Sequence, residues 1–323
     1  MSTAVETESL TKRYGDLLAV DNLDLSIAEG EIFGLLGPNG AGKTTTLSML
    51  ATLLKPTSGT ARVNGFDIIR QPADVRRSIG MVFQDPSSDD ILTGWENLYL
   101  HALMFGVPKD ERRERMEGVL KLVDLQDRAG DLVKKYSGGM RRRLELGRGL
   151  LHDPRILFLD EPTLGLDPQT REHIWEYIEN IVKEEKVTVI ITTHYMDEAD
   201  RLCDRVAIID HGRIVALDTP SALKSKVGGE VVKIRTRSPK LDGIKDLDYV
   251  ISVDQSGSTL VLTVKDASAH LQEILSMVGE VDSVEVRSPT LNDVFLHYTG
   301  REIREESGEG GVFERIARVR SAR

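Results

Sequence analysis

The clearest structural signal in the sequence is the stretch Glu31-Ile-Phe-Gly-Leu-Leu-Gly-Pro-Asn-Gly-Ala-Gly-Lys-Thr44. It begins as a short apolar run typical of a buried strand, and from Gly37 it matches the pattern G-x-x-x-x-G-K-[ST]. Glycines let such a loop wrap around phosphate oxygens, and the helix predicted over residues 45–53 adds its positive N-terminal end. The stretch therefore predicts a strand, a polyphosphate-binding loop and a helix, with Lys43 on the β- and γ-phosphates and the Thr44 hydroxyl on Mg²⁺.

Similar apolar runs recur along the chain, and helix-period stretches separate most of them. The alternation predicts an α/β fold with a mainly parallel sheet between helices. The opening section differs, because its strands are joined by turns, and we expect an antiparallel β flank there. Helical signals dominate about residues 86–150, which predicts a helical arm inserted into the core. The predicted core strands are 31–36, 79–82, 156–159, 187–192 and 205–209, and the flank strands are 4–10, 21–27 and 59–63.

A second unit follows a break in the pattern at residues 224–230. Strands, a helix, another strand and a short helix after Pro289 predict a small α+β domain over residues 230–300. Residues 1–223 then form a nucleotide-binding domain. Residues 301–323 contain three glycines and mixed charges, and we expect a flexible tail.

Composition excludes several classes of function. The chain has 323 residues, which suits two domains, and 42 Lys and Arg against 52 Asp and Glu leave a formal net charge of −10. This acidic balance argues against nucleic acid as a partner. The single cysteine, Cys203, cannot form an internal disulfide, and we expect it to be a small buried apolar residue. The N-terminus resembles no signal peptide, and no apolar run reaches the roughly 18 residues of a membrane span, so we expect any membrane role to come through a partner.

Further polar residues follow the predicted core strands. Asp160 and Glu161 end a buried strand at the edge where α/β sheets place ligands, so Asp160 can hold Mg²⁺ and Glu161 can polarise an attacking water. Gln84 follows another strand, where its amide can reach the metal or the water, and His194 follows a third, where its ring can hydrogen-bond a γ-phosphate oxygen. Taken singly, Gln84 is more typical of a loop amide and His194 of a surface or capping histidine.

Ser137-Gly138-Gly139 precedes an arginine-rich helix in the predicted arm. A Ser-Gly-Gly entry combines an N-cap hydroxyl with bare N–H groups, which favours an anion. Arg141, Arg142 and Arg143 oppose the helix dipole in the first turn. These arginines either face solvent or pair with an acidic neighbour, and we expect them to lie on a solvated face.

Together these residues resemble the motif set of ATP-binding cassette (ABC) proteins over residues 5–223. The resemblance implies an active ATPase that uses ATP and Mg²⁺, with Glu161, His194, Gln84 and Lys43 as catalytic residues and Thr44, Gln84 and Asp160 at the metal. Tyr136 and Met140 depart from the usual Leu and Gln beside Ser-Gly-Gly, which leaves the phosphate-facing residues intact. The residues to which the resemblance assigns ATP contacts are Tyr14, Gly37, Pro38, Asn39, Gly40, Ala41, Gly42, Lys43, Thr44, Thr45, Ser137, Gly138, Gly139 and Asp167.

The resemblance also implies a homodimer in which two chains pair head to tail. Each ATP then lies between the phosphate loop of one copy and Ser137-Gly138-Gly139 of the other, and Asp167 crosses the interface. Tyr14 resembles the aromatic residue that stacks on adenine, with plain aromatic packing as the alternative.

The sequences of residues 37–54, 193–200 and especially 288–300 look like those of the daunorubicin-resistance type of drug and antibiotic efflux ATPase. In that subfamily the multi-spanning permease is a separate chain, which implies a peripheral position on the cytoplasmic face of the cell membrane. We expect residues 92–98 to dock on the permease, with Trp95 either as an exposed anchor or packed within the arm.

Two alternatives stay open. One is an ABC-type ATPase without a transport role that acts on nucleic acid or ribosomes. The other makes residues 231–299 the functional centre, as a small-molecule sensor that regulates the ATPase, and we expect this unit to be a regulatory or dimer-stabilising domain.

Overall fold

The computed structural model describes residues 2–236 and 243–300. The predicted tail, residues 301–323, lies outside the described residues. Within them, the centre of the molecule is a six-stranded sheet in the order β10-β9-β3-β8-β7-β6. These strands are β3 (Ile32–Leu36), β6 (Ile79–Val82), β7 (Ile156–Asp160), β8 (Thr188–Thr193), β9 (Arg205–Asp210) and β10 (Arg213–Asp218).

Five of these described strands run parallel, and β10 pairs antiparallel with β9 at one edge. Every residue of β3, β7 and β8 is buried, since helices cover one face and α1 with the antiparallel sheet covers the other, and this explains why the strands read as continuous apolar runs. The predicted mainly parallel core is confirmed. The edge strand β10 was not predicted.

An antiparallel sheet in the order β2-β1-β4-β5 lies beside the central sheet, as predicted for the opening section. It packs on Phe33 and Leu35 of the central sheet through a shared apolar core. The helices α1 and α2 complete this part of the molecule. The elements are β1 (Thr3–Tyr14), β2 (Leu17–Ala28), α1 (Lys43–Leu50), β4 (Ser58–Val63), β5 (Phe66–Asp67) and α2 (Pro72–Ser78).

The helical arm lies between β6 and β7, which confirms the predicted insertion. Its first helix starts at a capping box, in which Thr93 and Glu96 satisfy each other's backbone N–H groups. Trp95 is partly buried against the main apolar core, so it packs within the arm and is not an exposed anchor. The arm contains α3 (Gly94–Met104), α4 (Arg112–Leu122) and α5 (Gly138–Leu150), and the core continues with α6 (Pro168–Glu185) and α7 (Met196–Leu202).

The C-terminal part has a sheet in the order β12-β13-β11-β14, which packs on α9 around its own small apolar core. The last helix, α10, instead buries Leu291, Val294 and Phe295 in the main core, beside Leu223 of α8. The elements are α8 (Pro220–Val227), β11 (Glu230–Arg235), β12 (Val250–Ser256), β13 (Thr259–Val264), α9 (Ala267–Val278), β14 (Ser283–Arg287) and α10 (Leu291–Thr299).

Cys203 is buried, as expected, and Gly34 lies so close that an added Cβ would meet its sulfur at 2.7 Å. Burial raises the pKa of the Cys203 thiol. Over the described ranges, the helices are too short or too polar to span a bilayer.

Candidate active site

The sheet order brings the predicted site segments to one edge. The phosphate loop follows β3, Asp160 ends β7, His194 follows β8, and Gln84 follows β6. Because these strands are parallel neighbours in the order β3-β8-β7-β6, their carboxyl ends lie side by side. In the register, Asp160 pairs with Thr192, and Leu36 with Thr193.

The phosphate loop is held in a backbone shape that requires glycine. Gly40 and Gly42 have φ of 83° and 108°, in the left-handed region that residues with a Cβ avoid. A Cβ on Gly37 would lie 2.2 Å from the Ile209 carbonyl oxygen. Gly42 caps α1, so the helix begins at Lys43, two residues before the predicted start. Within the loop Ala41 is buried, whereas Asn39 is exposed.

Lys43 is buried at the start of α1 with its ammonium group inside the site. Its Nζ donates to the carbonyl oxygens of Gly37, at 2.7 Å, and Pro38, at 3.2 Å, and lies 3.2 Å from Glu161 Oε1. Burial lowers the pKa of Lys43, and the carboxylates of Glu161 and Asp160 oppose this shift. The phosphate loop therefore carries a cation in a desolvated position, where its charge acts strongly on a bound anion.

Asp160 is buried and accepts hydrogen bonds from two hydroxyl groups. Thr44 Oγ1 donates to Asp160 Oδ1 at 3.0 Å, and Thr192 Oγ1 donates to the same oxygen. Burial raises the pKa of Asp160, although both hydroxyl groups oppose the shift. Asp160 and Thr44 thus place two oxygen ligands together at the start of α1.

Glu161 lies between two basic side chains. Its Oε1 is 3.2 Å from Lys43 Nζ, and its Oε2 is 3.2 Å from His194 Nδ1. Burial alone would raise the pKa of Glu161, but His194 and Lys43 outweigh it and lower the pKa. Glu161 is therefore ionised at neutral pH.

The backbone at Glu161 is strained. Its φ is 46°, which a residue with a side chain rarely adopts. Its N–H donates to the carbonyl oxygen of Thr192, at 3.1 Å, and to the Thr192 hydroxyl, at 3.0 Å. Thr192 therefore holds both adjacent carboxylate residues, a role that the sequence analysis missed. A polar residue near the end of an otherwise apolar buried strand was the available signal.

His194 and Gln84 differ in their surroundings. The His194 ring is largely buried and tilts against Tyr195, with 4.1 Å between ring centroids. Gln84 is exposed in the irregular segment after β6. The structure thus brings His194 onto Glu161 and leaves Gln84 at the rim of the site.

Two further predicted residues cap helices. Ser137 is the exposed N-cap of α5, and its hydroxyl accepts a hydrogen bond from the Met140 N–H. Asp167 is the N-cap of α6 and accepts from Thr170, whose hydroxyl and backbone N–H lower the pKa of Asp167. A Cβ on Gly139 would meet the Thr170 side chain at 2.6 Å, so the two helix starts lie together.

Tyr14, at the end of β1, is half-buried beside α1. Burial raises the pKa of its phenol, and the Thr45 side chain partly offsets the shift. Lys12 Nζ lies 5.2 Å from the centre of its ring. The Tyr14 ring therefore lies between Lys12 and Thr45, next to the start of α1.

The expectation of a solvated arginine face is wrong for Arg142. Its side chain is buried, and its guanidinium donates to the carbonyl oxygens of Phe83, Asp160 and Pro162. Burial lowers the pKa of Arg142 to about 10, opposed chiefly by Glu145, so the group stays charged at neutral pH. Arg141 and Arg143 pair with Asp90 and Asp124, which is the acidic-neighbour alternative.

The fold and this site define a P-loop nucleotide-binding protein. The family model described as ABC transporter matches residues 20–164, and the model of the DrrA1-3-like ATP-binding protein C-terminal domain matches residues 219–299. The chain is 40% identical over 307 residues to the daunorubicin resistance ATP-binding protein DrrA2 of Streptomyces coeruleorubidus, covering 92% of this chain and 95% of that one. The chain belongs to the family of ABC transporter ATP-binding proteins, binds ATP and is an ATPase.

Two further comparisons agree with this assignment. The linearmycin resistance ATP-binding protein LnrL of Bacillus subtilis strain 168 is 38% identical over 312 residues, which cover 93% of this chain and all of that protein. A solved dimeric ATP-binding cassette in a post-hydrolysis state with ADP and phosphate matches with a TM-score of 0.60 and 29% identity. That match covers 67% of this chain and 98% of the solved one, as expected if it is confined to the cassette.

Proposed function

We propose that the chain powers the export of a drug- or antibiotic-type cargo. It hydrolyses ATP with Glu161 as the general base and thereby drives a separate membrane permease. The observation that carries the chemistry is the position of Glu161, between Lys43 and His194 and next to Asp160. The cargo class is supported by DrrA2 and LnrL, which are named for resistance to daunorubicin and linearmycin. The site residues are shared by transporters of many cargoes, so the class rests on these relatives.

The residues of the site fit Mg²⁺ and a nucleoside triphosphate. Thr44 and Asp160 offer a hydroxyl and a carboxylate oxygen in direct contact, and the Gln84 amide lies along the same sheet edge. Oxygen ligands of this kind suit Mg²⁺, which takes its other ligands from phosphates and water. When bound, the ion neutralises charge on the phosphates. Lys43 and the loop Gly37-Pro38-Asn39-Gly40-Ala41-Gly42 hold the phosphates, and Tyr14 stacks on the adenine.

Glu161 acts as the general base. Its lowered pKa keeps the carboxylate ionised, so it can accept a proton from the attacking water at neutral pH. His194 orients Glu161 and hydrogen-bonds the γ-phosphate, and Gln84 positions the water or the metal. Lys43 stabilises the charge that develops on the transferred phosphoryl group.

Two copies pair head to tail, so that Ser137-Gly138-Gly139 of one copy closes the ATP site of the other. Ser137 and Gly138 are exposed at the start of α5, where unpaired N–H groups favour an anion. Asp167 lies beside this helix start and reaches the same interface. The dimeric solved relative supports the arrangement. We place the dimer at the cytoplasmic face of the membrane, held there by the permease.

A Glu161→Gln variant tests this proposal. Without its general base, we expect ATP turnover to fall by about 100-fold or more, while ATP still binds and supports dimers. Phosphate release, nucleotide binding and gel filtration with ATP measure the three properties. Glu172→Gln, an exposed position on α6, is the matched control and should hydrolyse normally. Unchanged hydrolysis by Glu161→Gln would exclude the role given to Glu161.

A further inference from the structure

Arg142 contacts the backbone on both sides of Glu161 and next to Gln84. It lies five residues after Ser137, in the first turns of α5, and only 5% of the residue is exposed. Its Nη1 donates to the Phe83 carbonyl at 2.6 Å and its Nη2 to the Asp160 carbonyl at 3.1 Å, while Nε donates to the Pro162 carbonyl. Phe83 precedes Gln84 in the chain, and Asp160 and Pro162 flank Glu161.

The same helix holds the far end of the segment that carries Gln84. One turn after Arg142, the Glu145 carboxylate accepts hydrogen bonds from the N–H groups of Ser87, at 3.2 Å, and Ser88, at 2.7 Å. Arg148 donates to Glu145 and to the Ser87 hydroxyl, each at 2.9 Å. Residues 83–88 are therefore attached to α5 at both ends.

The geometry of a guanidinium suits it for this task. Its N–H groups lie in one plane with fixed directions, so three acceptors on three chain positions are held in one arrangement. A lysine at this position has a single ammonium group and could not keep the same three contacts. Because the group is charged and buried, shifting α5 without moving its partners would leave a buried cation unpaired, which is strongly unfavourable.

We propose that Arg142 is a positioning residue that couples the Ser137 end of α5 to Glu161 and Gln84 of the same chain. This inference rests on the proposed head-to-tail dimer, in which Ser137-Gly138-Gly139 contacts the ATP bound by the partner. ATP in one site then displaces or fixes α5, and Arg142 carries that change to the catalytic groups of the other site. The two ATP sites are thereby linked through one side chain in each copy.

The test compares Arg142→Lys and Arg142→Gln with Arg143→Gln in the full chain. Arg143 lies on the same helix, but it bonds to the Val123 and Asp124 carbonyls, the Asp124 carboxylate and the Tyr177 hydroxyl, away from the site. For both Arg142 variants we expect kcat to fall about tenfold or more and the Hill coefficient for ATP to approach one, while ATP affinity changes less than about threefold. Arg143→Gln should keep the wild-type kcat and Hill coefficient.

A second measurement does not depend on turnover. In a Glu161→Gln background, hydrogen exchange of residues 83–88 is followed with and without ATP. We expect ATP to slow exchange in this segment, and we expect Arg142→Gln to remove the response while Arg143→Gln keeps it.

The outcomes separate this inference from the proposed function. Wild-type hydrolysis by Glu161→Gln alone would overturn the catalytic role of Glu161. An inactive Glu161→Gln together with Arg142 variants of wild-type kcat, Hill coefficient and exchange response would overturn the coupling role only. A purely structural role for Arg142 would lower the melting temperature and leave kcat per ATP-binding molecule unchanged, and that result would also overturn the coupling.

Discussion

At the scale of single residues, adjacent carboxylates acquire different chemistry from their surroundings. Asp160 is buried among hydroxyl groups, which only partly offset burial, and its pKa rises. Glu161, the next residue, contacts Lys43 and His194, and its pKa falls. Because β7 ends at Asp160 and Glu161 has a φ of 46°, the chain changes direction between them, and neighbours in sequence reach different partners. A metal ligand and a general base can therefore stand next to each other.

Asp293, at the start of α10, offers a test of such surroundings by pH. Burial would raise its pKa, but hydrogen bonds from Arg287 and Thr290 lower it to about 2. A lowered pKa stabilises the fold above the unfolded value of about 4, and this contribution is lost as the pH falls through about 2. We expect Asp293→Asn to lower the free energy of unfolding by about 1 kcal/mol at pH 7, a value reduced for solvent screening.

The difference between wild type and Asp293→Asn should be the same at pH 7 and pH 5 and should shrink below about pH 4. Urea unfolding at each pH measures it. An Arg287→Gln variant and the double variant complete a cycle that isolates the ion pair. A difference that grows as the pH falls would contradict the assignment.

At the scale of elements, α10 joins the C-terminal part to the main core. The apolar pattern predicts this helix as part of the unit over residues 230–300. In the structure it packs on α8 and α7, whereas β11, β13 and α9 close a separate small core. The predicted division into residues 1–223 and 230–300 stays a prediction. The last helix of the second unit, α10, packs on the core of the first.

Phe295 in α10 tests whether this contact stabilises the main core. It is 1% exposed, so Phe295→Ala should lower the free energy of unfolding by about 3–5 kcal/mol. Leu296→Ala, at an exposed neighbour, should cost less than about 1 kcal/mol. Fluorescence of Trp95 and Trp175, which both contact the main core, reports its unfolding in urea. An unchanged fluorescence midpoint for Phe295→Ala would show that α10 does not stabilise that core.

At the scale of the whole molecule, the helical arm exposes an apolar surface on α3. The predicted docking residues 92–98 are mostly covered, since Leu98 and Asn97 are buried and Trp95 packs inward. The exposed apolar side chains of α3 follow directly on this segment, within the next two turns. They are Tyr99, Leu100, Leu103 and Met104, followed by Phe105. Exposed apolar groups clustered on one helix mark interaction surfaces, and under the proposed function we expect this one to contact the permease.

Affinity purification from gently solubilised membranes of the native cell tests the assignment. We expect a multi-spanning protein to co-purify with the tagged chain in comparable amount, and Met104→Lys to reduce its recovery by about tenfold or more. Ile69→Lys changes an exposed apolar residue on the antiparallel flank and should leave recovery unchanged. Recovery of ribosomal or DNA-bound proteins without a membrane chain would support the non-transport alternative and overturn the transport function.

Local patterns alone predicted much of this protein. The phosphate loop, the alternation of strands and helices, and the carboxylates at the end of β7 follow from residues close in sequence. Spacing of glycines and the period of apolar residues are local properties, so they need no knowledge of distant segments. The parallel core, the antiparallel flank and the helical arm were predicted for this reason.

Only the tertiary structure decided what each surface residue touches. Arg142 looks like an exposed member of an arginine run, yet Phe83 and residues 160–162 fold over it. Trp95 and the apolar face of α10 both pack on the main core. The residues that they contact there come from distant parts of the chain. Burial and pairing depend on which segments meet in space, and a linear sequence read without that information determines the chemistry of a residue but not its neighbours.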